Sequence, residues 1–314
     1  MPSVDMPLEQ LRLYKPSLNR EEDFEQFWKK TTAAALSQPL NAELIPYPLP
    51  AKGLECYAVR FDGFGGGRIA GWYVRPSAAG RYAGLCIYHG YGGAGPRPVD
   101  LVAAAAQGIC VLTMDCRGQN GQSQDSALYP EGHFSGWMTM GIRDPQSYYY
   151  RHVYADALRA LELLAKREEV DEDRLIVHGV SQGGGITLAV AALSDRPALA
   201  LPDVPFMCDY RRAINITPAG PYVEIPAFLK SFPHLTDAAL RTLSYCDNLN
   251  LAPWITCKTI VCNCLCDDVC PPSTIYAVYN HMTAEKKMEI YPFHKHEVPA
   301  DHLETRWRAM MEMV

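Results

Sequence analysis

A serine set between glycines, Gly179-Val180-Ser181-Gln182-Gly183, is the feature of this chain best suited to do chemistry. A serine hydroxyl is a poor nucleophile on its own. It needs a base to take its proton and a carboxylate to orient that base. The G-x-S-x-G spacing carries meaning when a strand leads in and a helix leads out. The turn is then so sharp that side chains beside the serine would collide, and the hydroxyl is presented at its tip. Here RLIVHGV precedes the motif and GGITLAVAALS follows it. That context favours Ser181 as a nucleophile over an ordinary turn serine, and the chemistry is acyl transfer to water through a covalent acyl-enzyme.

In such a strand–turn–helix arrangement the carboxylate and then the histidine follow the serine along the chain. Asp267 and Asp268 close the run TIVCNCLC, and His294 and His296 follow MEIYPF. Local physics separates neither pair of neighbours. His178, within the strand entering the elbow, reads as a core or support residue, and His133, His152, His234, His281 and His302 lack the required placement. A tetrahedral intermediate also needs two backbone N–H donors. Gln182, following the nucleophile, is expected to supply one. The other comes from His89-Gly90-Tyr91-Gly92-Gly93, where glycines let the backbone approach a substrate and Tyr91 is the best donor.

These residues need a scaffold, and the hydrophobic pattern describes one. Residues 56–76 partly alternate and read as two antiparallel strands joined at Gly65-Gly66-Gly67. Buried-type strands at 83–90, 108–115, 174–180 and 259–268 then alternate with helical stretches at 101–107, 154–167, 184–194 and 273–283, and a last strand runs through 287–297. This rhythm predicts an α/β fold with a mostly parallel sheet covered on both faces. Residues 5–35 look helical, with Leu8, Leu11 and Tyr14, then Phe24, Phe27 and Trp28, at helical spacing; Asn19 before Glu21, Glu22 and Asp23 resembles a helix start. Proline-rich residues 205–255 read as a helical insertion over the C-terminal edge of the sheet. The chain, 1–314, is expected to form a single domain with these two decorations.

Composition narrows the partners. The formal net charge is −6 with no basic run, a poor match to a phosphate backbone, so a neutral small substrate is expected and not a nucleic acid. No run approaches a membrane span, and the start of the sequence lacks the pattern of a secretory signal, which points to a cytoplasmic protein. The eleven cysteines lie mostly in apolar runs and read as reduced core thiols. A metal site from Cys257, Cys262, Cys264, Cys266 and Cys270 is the sharper alternative. The alternation of Cys262, Cys264 and Cys266 on one strand face and the lack of a paired C-x-x-C argue against it, so no metal and no cofactor are expected.

The chain resembles carbohydrate esterase family seven, the acetyl xylan esterases and cephalosporin C deacetylases of the α/β-hydrolase superfamily. Arg117-Gly118-Gln119, the Ser181 elbow and His296-Glu297 occur in the family's order, and HGYGG (89–93), YYYRHVYADALRALE (148–162), LSYCDNLNLA (243–252) and CPPSTIYAVYN (270–280) resemble family segments. The resemblance covers essentially the whole chain. It implies that Asp267 is the acid and His296 the base, that Tyr91 and Gln182 are the oxyanion donors, that Arg117, Gln119 and Glu297 are structural, and that Phe206, Pro221 and Val269 border an acetyl pocket. It further implies a homo-hexamer, a trimer of dimers with enclosed sites; Phe24, Phe27 and Trp28 would leave a costly apolar patch on a monomer. The chain departs from the family pattern at Asn120, at Val298-Pro299 after the base, and at Leu101, where many members carry an aromatic and a leucine is expected to widen the pocket. The implied activity is removal of acetyl groups from acetylated xylo-oligosaccharides and small esters of the cephalosporin C type. A peptidase or amidase on the same fold is one alternative, although no extra gating domain is visible. A non-catalytic hydrolase-fold binding protein is another, although no triad member is missing.

Overall fold

The computed structural model describes residues 4–129 and 134–314, so His133 and the first three residues of the N-terminal extension lie outside it. Nine strands among the described residues form one sheet: β1 (Glu43–Pro46), β2 (Leu54–Asp62), β3 (Arg68–Pro76), β4 (Tyr82–Tyr88), β5 (Ile109–Met114), β6 (Val170–Val180), β7 (Pro197–Asp203), β8 (Lys258–Cys264) and β9 (Lys286–Tyr291), in the order β1-β2-β3-β5-β4-β6-β7-β8-β9. β1, β2 and β3 pair antiparallel, and β3 meets β5 antiparallel. From β5 onward every pairing is parallel. All six residues of β5 are buried, as a parallel strand covered on both faces requires.

The helices are α1 (Leu8–Leu11), α2 (Phe24–Ser37), α3 (Val102–Ala106), α4 (Tyr149–Ala165), α5 (Gln182–Leu193), α6 (Tyr210–Ile216), α7 (Glu224–Ser231), α8 (Thr236–Tyr245), α9 (Asn248–Leu251), α10 (Pro272–His281) and α11 (Ala300–Met311). Because side chains alternate along a strand, neighbours feed opposite cores. Cys86 and Val177 join the core packed by α4 and α5, whereas Leu85 and Ile176 join the one packed by α3 and α11. α6 to α9 occupy the interval between β7 and β8. No helix among the described residues is long and apolar enough to cross a membrane.

Three expectations need correcting. Residues 5–35 are not continuously helical: α1 lasts four residues, bounded by Pro7, and irregular chain with Pro16 follows. Asn19 caps no helix; its amide and side chain pair with Asn250, and α2 begins after Asp23. Second, Phe24, Phe27 and Trp28 leave no apolar patch, because they are buried on their own chain. Trp28 Nε1 donates to the Tyr245 carbonyl at 2.8 Å, and the Phe27 and Tyr245 rings lie 4.6 Å apart. Burial of each such ring contributes about 1.5–3 kcal/mol, so α2 is a cover for α4. Third, Leu101 is buried beside Ala105, Ile109 and Val111 in the α3–α11 core, and so does not widen the pocket.

Candidate active site

β6 ends at Val180 and α5 starts at Gln182, leaving Ser181 alone to make the turn. Its backbone adopts φ +57° and ψ −116°, a conformation costly for a residue with a side chain. Surrounding bonds hold it there. The Ser181 N–H donates to the Asp203 carbonyl at 2.9 Å, and the Ser181 carbonyl accepts from Phe206 N at 2.9 Å and Gly185 N at 3.0 Å. The glycines are sterically obligatory. A Cβ on Gly183 would lie 2.0 Å from the Tyr88 carbonyl oxygen, and one on Gly179 would lie 2.3 Å from the carbonyl carbon of Gly183.

Two carboxylates and two histidines were left open by the local reading, and the fold brings one of each to the serine. His296 Nε2 lies 2.9 Å from Ser181 Oγ, and His296 Nδ1 lies 2.8 Å from Asp267 Oδ2. Asp267 is fully buried, and its other oxygen accepts the N–H groups of Val269 and Cys270 at 2.8 and 2.7 Å. These bonds aim the carboxylate inward and fix the tilt of the imidazole. Asp268 is half-buried and is not bonded to His296. His294 points to Glu297, with Nδ1 3.0 Å from Oε1. Glu297 is thus largely exposed and serves the loop and not the centre. Val298 and Pro299 lead directly into α11.

The β4–α3 loop and the N-terminus of α5 converge beside Ser181. As the first residue of its helix, Gln182 has no intrahelical acceptor for its N–H, and among the described residues neither this N–H nor that of Tyr91 donates to a protein acceptor. Two buried amides brace these donors. Gln119 Oε1 accepts the Gly92 N–H at 2.8 Å, and Gln119 Nε2 donates to Gln182 Oε1 at 2.9 Å. Tyr150 also donates to Gln182 Oε1, at 2.9 Å. His89 Nε2 accepts the Cys116 N–H at 2.8 Å, which leaves Nδ1 protonated to donate to the Gly90 carbonyl at 2.7 Å; burial lowers the His89 pKa and keeps the ring neutral. Arg117 is wholly buried. It holds both oxygens of Asp156 at 2.7 and 2.8 Å and the Phe64 carbonyl at 2.8 Å. Burial opposes its charge, but Asp156 outweighs burial and raises the guanidinium's pKa.

Phe206 is buried next to the elbow, with its ring 4.1 Å from that of Tyr222 and 6.3 Å from that of Tyr91. Val269 adjoins the turn at Gly220, immediately before Pro221: a Cβ on that glycine would lie 2.8 Å from Val269 Cγ1. Several supporting residues carry no local signal in the sequence. Glu224 accepts the Tyr91 hydroxyl at 2.6 Å, which in turn accepts the Trp137 N–H at 2.7 Å, tying the insertion to the donor loop. Asp203 binds His302 Nε2 at 2.8 Å and Arg306 Nη1 at 2.5 Å. His302 Nδ1 lies 3.0 Å from the Tyr291 hydroxyl at the end of β9. Burial, with Arg306 nearby, pushes His178 down to about 4, so it is a neutral donor to the Leu201 carbonyl. A depression lined by Lys258, Lys286 and Arg308 lies at the opposite, N-terminal ends of β8 and β9.

This arrangement can transfer an acyl group: a base-paired serine, an oriented base and two converging N–H donors. Its relatives agree. The family model described as acetyl xylan esterase (AXE1) matches residues 1–311. Acetyl esterase Axe7A of Xylanibacter ruminicola is 29% identical over 292 residues, or 90% of this chain, and the chain spans 65% of that relative's length. An acetyl xylan esterase from a Paenibacillus species superposes with a TM-score of 0.95 at 42% identity, covering 98% of this chain and 100% of that one. Acetyl xylan esterase 1 from a Thermoanaerobacterium species gives 0.95 at 33% identity, covering 98% and 99%. An acylaminoacyl peptidase from Pyrococcus horikoshii shares the fold alone, with a TM-score of 0.63 at 17% identity over 83% of this chain and 41% of that one.

Proposed function

The chain belongs to the acetyl xylan esterase family of α/β-hydrolase fold, and from that membership we propose that it is a serine carboxylic ester hydrolase that removes acetyl groups from acetylated xylo-oligosaccharides and related small esters, including those of the cephalosporin C type. The observation that carries this reading is the hydrogen-bonded line from Asp267 through His296 to Ser181, at 2.8 and 2.9 Å. Ser181 Oγ attacks the acetyl carbonyl while His296 Nε2 takes its proton. The oxyanion is held by the Tyr91 and Gln182 N–H groups. His296 returns the proton to the departing sugar oxygen, and Asp267 keeps the ring oriented throughout. Water then repeats the sequence on the acetyl-enzyme and releases acetate. Phe206, Pro221 and Val269 are the proposed walls of the acyl pocket.

Initial rates on acetylated xylo-oligosaccharides, p-nitrophenyl acetate and p-nitrophenyl butyrate test the proposal. Acetate esters are expected to give the higher kcat/KM. Equal or faster turnover of butyrate refutes the acetyl assignment, and hydrolysis of a peptide anilide at rates matching the acetate ester favours an amidase. All eleven cysteines are unpaired and buried, which supports a reducing, cytoplasmic setting. A homo-hexamer is proposed from the family resemblance alone. Light scattering tests it, and a stable monomer mass refutes it.

A further inference from the structure

Tyr91, the donor proposed for the β4–α3 loop, sits among Gly90, Gly92 and Gly93, and glycine restrains a backbone less than any other residue. An N–H that stabilises a developing charge has to point at it before the reaction begins. Gln119 fixes the peptide after Tyr91 by accepting the Gly92 N–H. Tyr91 itself is held through its side chain.

That side chain ends in a closed circuit of hydrogen bonds. The Tyr91 hydroxyl donates to Glu224 Oε1 at 2.6 Å, the Met138 N–H donates to Glu224 Oε2 at 3.1 Å, and the neighbouring Trp137 N–H donates to the Tyr91 oxygen at 2.7 Å. A hydroxyl-to-carboxylate bond of this length belongs to the stronger, charge-assisted class. The chain makes room for the carboxylate: Gly136 has φ +85°, and a Cβ there would lie 2.0 Å from Glu224 Oε2. The Trp137 ring meets the Tyr91 ring edge-on, with centroids 5.2 Å apart. Glu224 opens α7 directly after the turn that holds Pro221 and Tyr222, and Tyr222 lies against Phe206. One carboxylate thus joins the proposed acyl pocket to the proposed donor loop.

We propose that Glu224 is a positioning residue for ester hydrolysis: it anchors the Tyr91 hydroxyl and thereby aims the Tyr91 N–H at the place where the oxyanion forms. It acts through Tyr91 and not on the substrate, so its loss slows the chemical step and spares ester binding. The proposal rests on the esterase reading and on Tyr91 as a donor.

The test measures kcat and KM on p-nitrophenyl acetate for Glu224→Ala, Tyr91→Phe and the double variant, per Ser181 site titrated to completion with a fluorophosphonate. Each single variant is expected to lose roughly ten- to hundredfold in kcat, the order of a displaced or missing donor. KM should stay within about threefold of wild type. The double variant should be no slower than the slower single one, because both changes break the same bond. Glu224→Gln keeps an acceptor for the hydroxyl and should recover part of the rate. The inhibition constant of trifluoroacetone, which Ser181 converts to a tetrahedral oxyanion, should rise by the factor that kcat/KM falls. A role in packing alone would lower the number of titrated sites and the denaturation midpoint while leaving kcat per site unchanged. If Glu224→Ala does not fold, Tyr91→Phe breaks the bond from its other end and decides. A kcat per site within about twofold of wild type in the folded variant overturns the proposal, as do losses that multiply in the double variant. Either result, with wild type still hydrolysing the ester, leaves the esterase reading standing. A wild-type chain that hydrolyses no acetyl ester removes that reading and this proposal with it.

Discussion

The N–H of Ser181 is bonded to the carbonyl of Asp203 at 2.9 Å. The serine's own amide is therefore spent on the sheet, in keeping with the proposal that Gln182 supplies the oxyanion donor on this side of the site. The Asp203 carboxylate meanwhile holds His302 and Arg306 of α11. His302→Ala removes a buried bond to this carboxylate and is expected to cost ~1.5–3 kcal/mol. Denaturant midpoints measure the loss, and His302→Asn should restore part of it. An unchanged midpoint would show that Arg306 suffices alone.

The neighbours at each triad position should behave oppositely. Ser181→Ala, Asp267→Asn and His296→Ala are each expected to lower kcat by on the order of 10⁴ or more. Asp268→Asn and His294→Ala should stay within about tenfold of wild type, because neither bonds to the serine–imidazole line. Steady-state rates with active-site titration decide; a crippled Asp268 or His294 variant moves the centre off the proposed residues.

Gly183→Ala places a methyl group 2.0 Å from the Tyr88 carbonyl, an approach that backbone must yield to. The elbow and the end of β4 have to separate. Fluorophosphonate labelling of Ser181 is expected to fall steeply while the bulk of the sheet, read by circular dichroism, persists. Wild-type labelling would mean that the elbow relaxes more freely than its bonds suggest.

Arg117→Met leaves the Asp156 carboxylate buried without its guanidinium partner. Breaking such a pair typically costs about 3–5 kcal/mol. The double variant Arg117→Met with Asp156→Leu should recover part of that loss, since no charge then remains uncompensated. Chemical denaturation of the three proteins measures it.

Phe206→Ala should enlarge the acyl pocket. The ratio of butyrate to acetate kcat/KM is expected to rise by about tenfold, of the order that one or two methylenes are worth in an apolar pocket. A ratio that does not move places the acyl chain elsewhere.

What could be read in advance was what depends on neighbours in sequence. The elbow needs a strand, small flanking residues and a helix within a short window, and all three are written there. Asp267 and Asp268 share the same strand end, so their difference appears only when Val269 and Cys270 turn their N–H groups onto one of them. Asp156, Glu224 and Asp203 were invisible for the same reason at longer range, their partners Arg117, Tyr91 and His302 being 39, 133 and 99 residues away. β7 escaped notice because PALALPD is short and begins on proline, and β1 because it has four residues. The spacing of Leu8, Leu11 and Tyr14 suggested a long helix, but contacts with the body of the chain, such as the Tyr14 hydroxyl on Asp209, shape that stretch instead.

The two flanks of the sheet bear on how this protein behaves when concentrated. A strand with one unpaired side is a template for a foreign chain, and long apolar borders invite fibrils. β1 offers four residues and stops at Pro46, which has no N–H to donate. β9 on the other flank carries Lys287 and Glu289, which form an ion pair. An incoming strand would have to strip water from those charges to add to the sheet. Growth of the sheet by addition of a foreign strand is therefore disfavoured at both flanks.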